Sequence, residues 1–168
     1  MKITLISTAT YPSDQGIRTI SSVLKNAGYI VKIIFLPFSE DYKKLYTAKI
    51  LAQVIKLSTG SSLIGINSFA STAPRAVQVI NSLKKLDIPI VWGGIHATIS
   101  PEECIKHSDI VCVGEGEGAV LDLAKAIEHS KDYSRISNLW LRSNDKIVKN
   151  PVRNLIDDLD SLPPVDYD

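Results

Sequence analysis

Cysteine is scarce in this sequence, with Cys104 and Cys112 the only two. Two are too few for a disulfide scaffold, and these do not form a close metal-ligand pair. Cys112 lies inside the apolar run DIVCV and reads as a small buried hydrophobe. Cys104 follows SPEE and falls on a short helix, so both fit a reduced, cytoplasmic compartment. Long hydrophobic runs are missing too. Nothing approaches the roughly 20 apolar residues of a membrane span. The opening MKITLIS passes straight into strand-like alternation, without the apolar core or cleavage site of a signal peptide. An excess of one charge is also absent: Lys plus Arg number 19 and Asp plus Glu 18. No basic block marks a nucleic-acid or membrane surface, so neither is expected as a partner.

What is present is alternation of strand and helix over one domain's length. Strand patterns cover 2–7, 29–36, 62–67, 88–92 and 109–114. Helical spacing covers 16–28, 46–57, 71–86, 100–107 and 118–130. Gly28 suits a helix C-cap, and Pro74 and Pro101 suit first helical turns. Each parallel crossover must return over a face of the sheet, and the strands read as continuous apolar runs. The expectation is a three-layer, doubly wound, flavodoxin-like α/β domain with a five-stranded parallel sheet in the order 2-1-3-4-5. It occupies residues 1–133. Residues 134–150 read as a β-hairpin around the turn cluster SND, and 151–168 as an acidic, proline-containing linker or extended tail.

In an open parallel sheet, ligands bind outside the carboxyl ends of the strands. The loops there are TATYPSDQG, NSFAST, GGIHAT and GEGEG, all rich in small or polar residues. The opposite loops, such as KNAG and KKLD, are plain and charged. Gly93 and Gly94 leave no side chain at the end of the fourth strand. They allow either a tight turn or the close approach of a flat ligand. His96 stands alone, since His107 and His129 fall on helices, so a closed zinc site is not expected. Glu115 and Glu117 could do acid–base work, but acidic residues are also favoured where a helix begins. No P-loop, no dinucleotide fingerprint after the first strand and no Ser-His-Asp constellation is found.

Taken together, GIRTISSVLKNAGYIVKII, SLIGINSFASTAPRAVQVINSLKKL, IPIVWGGIHATISPEEC and DIVCVGEGEGAVLDLAKAI resemble one known family. It is the N-terminal cobalamin-binding domain of cobalamin-dependent radical SAM enzymes, in the branch of the anaerobic magnesium-protoporphyrin cyclase. The resemblance implies cobalamin as cofactor, with the corrin on the carboxyl edge and the nucleotide tail in a crevice below. Cofactor contacts would come from Thr10, Ser13, Gln15 and Gly16 after the first strand. Asn67, Ser68, Phe69, Ser71 and Thr72 would follow after the third strand, with Ala70 among them. Gly93, Gly94, Ile95 and His96 would serve after the fourth, and Gly114, Glu115 and Gly116 after the fifth.

Many cobalamin domains carry an Asp-x-His-x-x-Gly motif whose histidine ligates cobalt. Aligned on Gly16, Tyr11 and Ser13 stand at the aspartate and histidine positions, so that ligand is absent. The cluster-binding Cys-x-x-x-Cys-x-x-Cys of radical SAM enzymes is absent as well. The four-iron cluster and S-adenosylmethionine would then belong to a downstream radical SAM domain of the same polypeptide, with 151–168 leading toward it. The chain by itself would hold no catalytic residue. The full protein would perform methyl transfer or ring-forming chemistry. A docking or regulatory domain that keeps the fold without cobalamin is the alternative, and a small independent α/β enzyme is a third reading.

Overall fold

The computed structural model describes residues 1–8, 13–37, 41, 44–143 and 146–168. The strands are β1 (Lys2–Ser7), β2 (Ile30–Phe35), β3 (Leu63–Asn67), β4 (Ile90–Gly93), β5 (Ile110–Cys112), β6 (Leu139–Ser143) and β7 (Lys146–Lys149). They form one sheet in the order β2-β1-β3-β4-β5-β6-β7. The expected parallel core, 2-1-3-4-5, is present, but the sheet has seven strands, not five. The hairpin pairs antiparallel with β5, Ile110 opposite Leu141 and Cys112 opposite Leu139. Leu139 and Leu141 are buried by this pairing, which also satisfies an edge that β5 would otherwise expose.

The helices are α1 (Gln15–Asn26), α2 (Ala48–Ser58), α3 (Ala73–Leu83), α4 (Ile95–Ile99), α5 (Pro101–Cys104) and α6 (Glu117–Glu128). Side chains alternate across the strands and build two cores. Ile64, Ile66 and Trp92 face α2 and α3, packing with Val54, Val79 and Ile80. Leu5, Leu63 and Val91 face α1 and α6, packing with Ile17, Leu24 and Leu123. Helix starts follow their caps: Asp14 accepts from the Ile17 N–H at 3.4 Å and Thr47 from the Ile50 N–H at 3.4 Å. The second helix therefore begins after Thr47, not at Tyr46, which is buried.

One segment differs in kind from its expectation. Residues Ile95–Ile99, read as loop, form the helical turn α4. Gly94, at φ +91°, turns the chain out of β4, and its carbonyl accepts from the Thr98 N–H at 3.0 Å. Five residues rich in β-branched side chains give no helical signature, so the turn is set by the glycine and not by propensity.

Residues 151–168 are extended apart from a single 3-10 turn at Leu159–Ser161, and they lie against the domain. They cross the outer side of α6 and α1 as a strap. Asp166 is buried against α1, accepting from Ser21 Oγ at 2.5 Å and Lys25 Nζ at 2.8 Å. Arg18 donates to the Asp166 carbonyl at 2.6 Å, with its guanidinium beside the rings of Phe35 and Tyr167. The contacts are polar and stacked, which is why no hydrophobic period announces them in the sequence.

Candidate functional site: a glycine-lined crevice

Two rows of residues on the α1/α6 face of the sheet define the site. Leu5, Gly65 and Val91 are side by side in register, and Ser7, Asn67 and Gly93 form the next row toward the carboxyl edge. Each row has a glycine where a side chain would fill the space under the helices. A crevice of about 160 Å³ results, walled by Ile17 and Ile20 of α1 and Val120 of α6. Six of the chain's nine glycines line it: Gly16, Gly65, Gly93, Gly94, Gly114 and Gly116. A Cβ on Gly65 would come within 2.7 Å of Leu5 Cδ2. On Gly93 it would meet only Cys112 Cβ, at an ordinary 3.6 Å, and its outward bulk would enter the open space.

The mouth is held by hydrogen bonds. Asp14 Oδ2 accepts from Ser7 Oγ at 2.6 Å and from Asn67 Nδ2 at 2.5 Å, joining the start of α1 to the ends of β1 and β3. Thr8 Oγ1 donates to the Asn67 carbonyl at 3.0 Å. Glu115 Oε2 accepts from the Ile156 N–H of the strap at 2.9 Å. The Cys112 thiol, inside the crevice, is pushed up to about 12, first by burial and then by the neighbouring Glu117, with Arg153 acting the other way. It therefore stays protonated at neutral pH and is no nucleophile.

The residues singled out from the sequence divide into three groups. Gly16, Asn67, Gly93, Gly94, Gly114, Glu115 and Gly116 are gathered around the crevice. Ser68 and Thr72 are buried, with their hydroxyls engaged internally: Ser68 Oγ accepts from Trp92 Nε1 at 2.9 Å, and Thr72 Oγ1 from the Phe69 N–H at 3.1 Å. Phe69, Ile95 and His96 stand outside it, Phe69 and Ile95 exposed, while His96 packs its ring 5.7 Å from that of Trp92. Ser71, Ser13 and Gln15 are exposed, and Thr10 lies outside the described residues. No cluster of His, Cys, Asp and Glu among the described residues could hold a metal ion, so His96 has no companion ligands. Nor is any helix among them long and apolar enough to cross a membrane.

Sequence reasoning passed over Gly65, Ile17, Ile20 and Val120. Gly65 carried a signal: a lone glycine inside the strand pattern SLIGIN marks close approach of something to the backbone. The three wall residues carried none, since crevice walls and core share one hydrophobic pattern.

A doubly wound sheet with a glycine-cleared crevice at its carboxyl edge defines a small-molecule-binding α/β module. Residues 1–124 match the model of the B12 binding domain, and the chain belongs to that family. Among curated proteins it is 29% identical over 123 residues to an uncharacterized methyltransferase of Pyrococcus horikoshii, covering 70% of this chain and 27% of that one. It is 24% identical over 150 residues to the anaerobic magnesium-protoporphyrin IX monomethyl ester cyclase of Synechocystis, covering 86% and 29%. The chain thus spans little more than a quarter of the length of these relatives. Its fold is that of the radical S-adenosylmethionine methyltransferase TsrM from Kitasatospora setae, whose structure has cobalamin and a [4Fe-4S] cluster bound. The TM-score is 0.75 at 19% identity, covering 98% of this chain and 31% of that one. The cobalamin-dependent S-adenosylmethionine radical enzyme OxsB gives 0.72 at 16% identity, covering 92% and 22%.

Proposed function

We propose that this chain is the cobalamin-holding module of a radical SAM enzyme. The nucleotide tail would enter the glycine-lined crevice, and the corrin would lie on the carboxyl edge. The observation that carries the reading is the crevice itself. Cobalamin's tail ends in a flat, largely apolar base; Gly65 lets Leu5 pack down onto the sheet and Gly93 leaves open space beside it, so that such a base can enter an apolar-walled slot between α1 and α6.

The chain's residues would then bind and orient. Ile17, Ile20 and Val120 exclude water from the tail. The Ser7–Asp14–Asn67 hydrogen bonds fix the mouth before the ligand arrives, so little ordering entropy is lost on binding. Phe69 and Ile95, 41% and 56% exposed, offer apolar surface on the rim beside the corrin. In this reading Ser13 would stand where other cobalamin domains carry the lower-ligand histidine; it is exposed, one residue before the cap of α1. Cobalamin, when bound, supplies the cobalt chemistry of methyl transfer or ring formation. The partner in this reading is a radical SAM domain carrying the [4Fe-4S] cluster and S-adenosylmethionine.

The test is retention of corrinoid. Purified chain is mixed with hydroxocobalamin, desalted, and its visible spectrum recorded. Stoichiometric corrin bands are expected, without the spectral signature of histidine on cobalt. A colourless, folded protein would overturn the proposal in favour of a docking domain that keeps the fold alone.

A further inference from the structure

The crevice contains one polar group that its own fold leaves unanswered. Glu117 opens α6 and lines the crevice, and its Oε2 is buried with no hydrogen-bond partner among the described residues. The other polar side chains of the lining are engaged. Asn67 donates to Asp14 at 2.5 Å, and Glu115 Oε2 accepts from the Ile156 N–H at 2.9 Å. Arg153, a cation of the strap beside Gly118, donates through Nη2 to Asp122 Oδ2 at 2.7 Å. An acidic residue in a first helical turn is favoured by the helix dipole, but that long-range field gives Oε2 no donor. A buried acceptor left unpaired is costly, and native proteins pair nearly all of them. Glu117 borders both this crevice and the cavity under the strap, and a donor that enters the crevice can supply the missing partner.

The chemistry of the group narrows that partner. An ionised carboxylate only accepts hydrogen bonds, so it calls for an O–H or N–H donor and repels phosphate. Cobalamin's tail consists of a phosphate, a ribose and a dimethylbenzimidazole. The base has no N–H, so the donors of this nucleotide are its ribose hydroxyls. We infer that Glu117 accepts a hydrogen bond from a ribose hydroxyl of the tail, and that this contact lets the domain distinguish a complete cobalamin from a corrin without its nucleotide. The inference rests on the corrinoid reading above and goes beyond it, since a crevice made by glycines alone would select for shape and not for the sugar.

The experiment compares wild type, Glu117→Ala and Glu117→Gln in equilibrium titrations followed by the visible spectrum. The probes are hydroxocobalamin and cobinamide, which lacks the nucleotide, and thermal melting verifies that each variant is folded. Loss of a hydrogen bond to a charged group predicts that Glu117→Ala binds cobalamin roughly 10- to 100-fold more weakly. Its cobinamide affinity should equal that of wild type. Glu117→Gln keeps an acceptor oxygen of the same reach and should recover most of the loss. Equal cobalamin affinity in wild type and Glu117→Ala would overturn the inference. So would proportional loss of both probes in a folded variant, which would show a general effect on the crevice. A wild-type chain that takes up cobinamide but gains nothing from the nucleotide also overturns it while leaving the corrinoid reading intact. Binding of neither probe removes that reading and this inference together.

Discussion

Gly94 lies so close to the side chain of Asn67 that a Cβ placed on it would overlap Asn67 Oδ1. The contact joins the ends of β3 and β4 at the lip of the crevice, and Gly94 holds it at φ +91° and ψ −174°, a backbone region essentially confined to glycine. Gly94→Ala should therefore destabilise the fold by about 1–3 kcal/mol from backbone strain alone, with the overlap adding to it. Urea unfolding measures this. An unchanged midpoint would show that the lip can rearrange around an added methyl.

Gly93 separates ligand binding from stability. Its backbone is ordinary, and a Cβ there meets only Cys112 Cβ at 3.6 Å. Gly93→Val should keep a cooperative melt and lose corrinoid retention after desalting. A folded Gly93→Val protein that still carries stoichiometric corrin would place the tail elsewhere.

The positions of these two glycines show how much of the site was legible. GG after an apolar run located the carboxyl edge, and the strand order followed from the alternation of strands and helices. Which glycine serves the turn and which opens the space depends on φ and on register, and neither is written in a dipeptide. Gly65 was missed because it sits inside a strand, where its meaning comes from Leu5 and Val91 on either side. The strap was read only as an extended tail, since its anchors are a buried aspartate and a stacked arginine, side chains that normally signal solvent.

Asp166 makes the strap sensitive to acid. Burial works to raise its pKa, but the hydrogen bonds from Lys25, Ser21 and the Asp168 N–H outweigh it and hold the carboxyl below the usual range. A carboxyl with a depressed folded pKa stabilises fully above its unfolded value of about 3.9, and the contribution fades as pH falls through the folded value. Wild type should thus be more stable than Asp166→Asn from pH 5 to 8, by about 1–3 kcal/mol. The gap should shrink below pH ~4. Denaturation of both proteins across this range measures the difference. A gap that does not change with pH would mean that the docking does not depend on the charge.

Both thiols should be silent in the native protein. Burial is the main reason that Cys104 and Cys112 are each pushed up to about 12, with Glu103 adding for the first and Glu117 for the second. Titration with a thiol reagent at pH 8 should find no fast-reacting group until denaturant is added, and then two. A rapid native reaction at Cys112 would show that the crevice opens far enough to admit the reagent.

The crevice is made by subtraction, and this gives its mutations a direction. No residue is smaller than glycine, so every substitution at Gly65 or Gly93 adds atoms to the space. Elsewhere in the domain a substitution can leave a hole as well as create a clash. Here it can only close the slot, and at Gly93 it can do so while the two cores remain intact. A copy of this domain that keeps its fold and no longer holds its ligand is therefore a single codon away, and drift at those positions leads toward it.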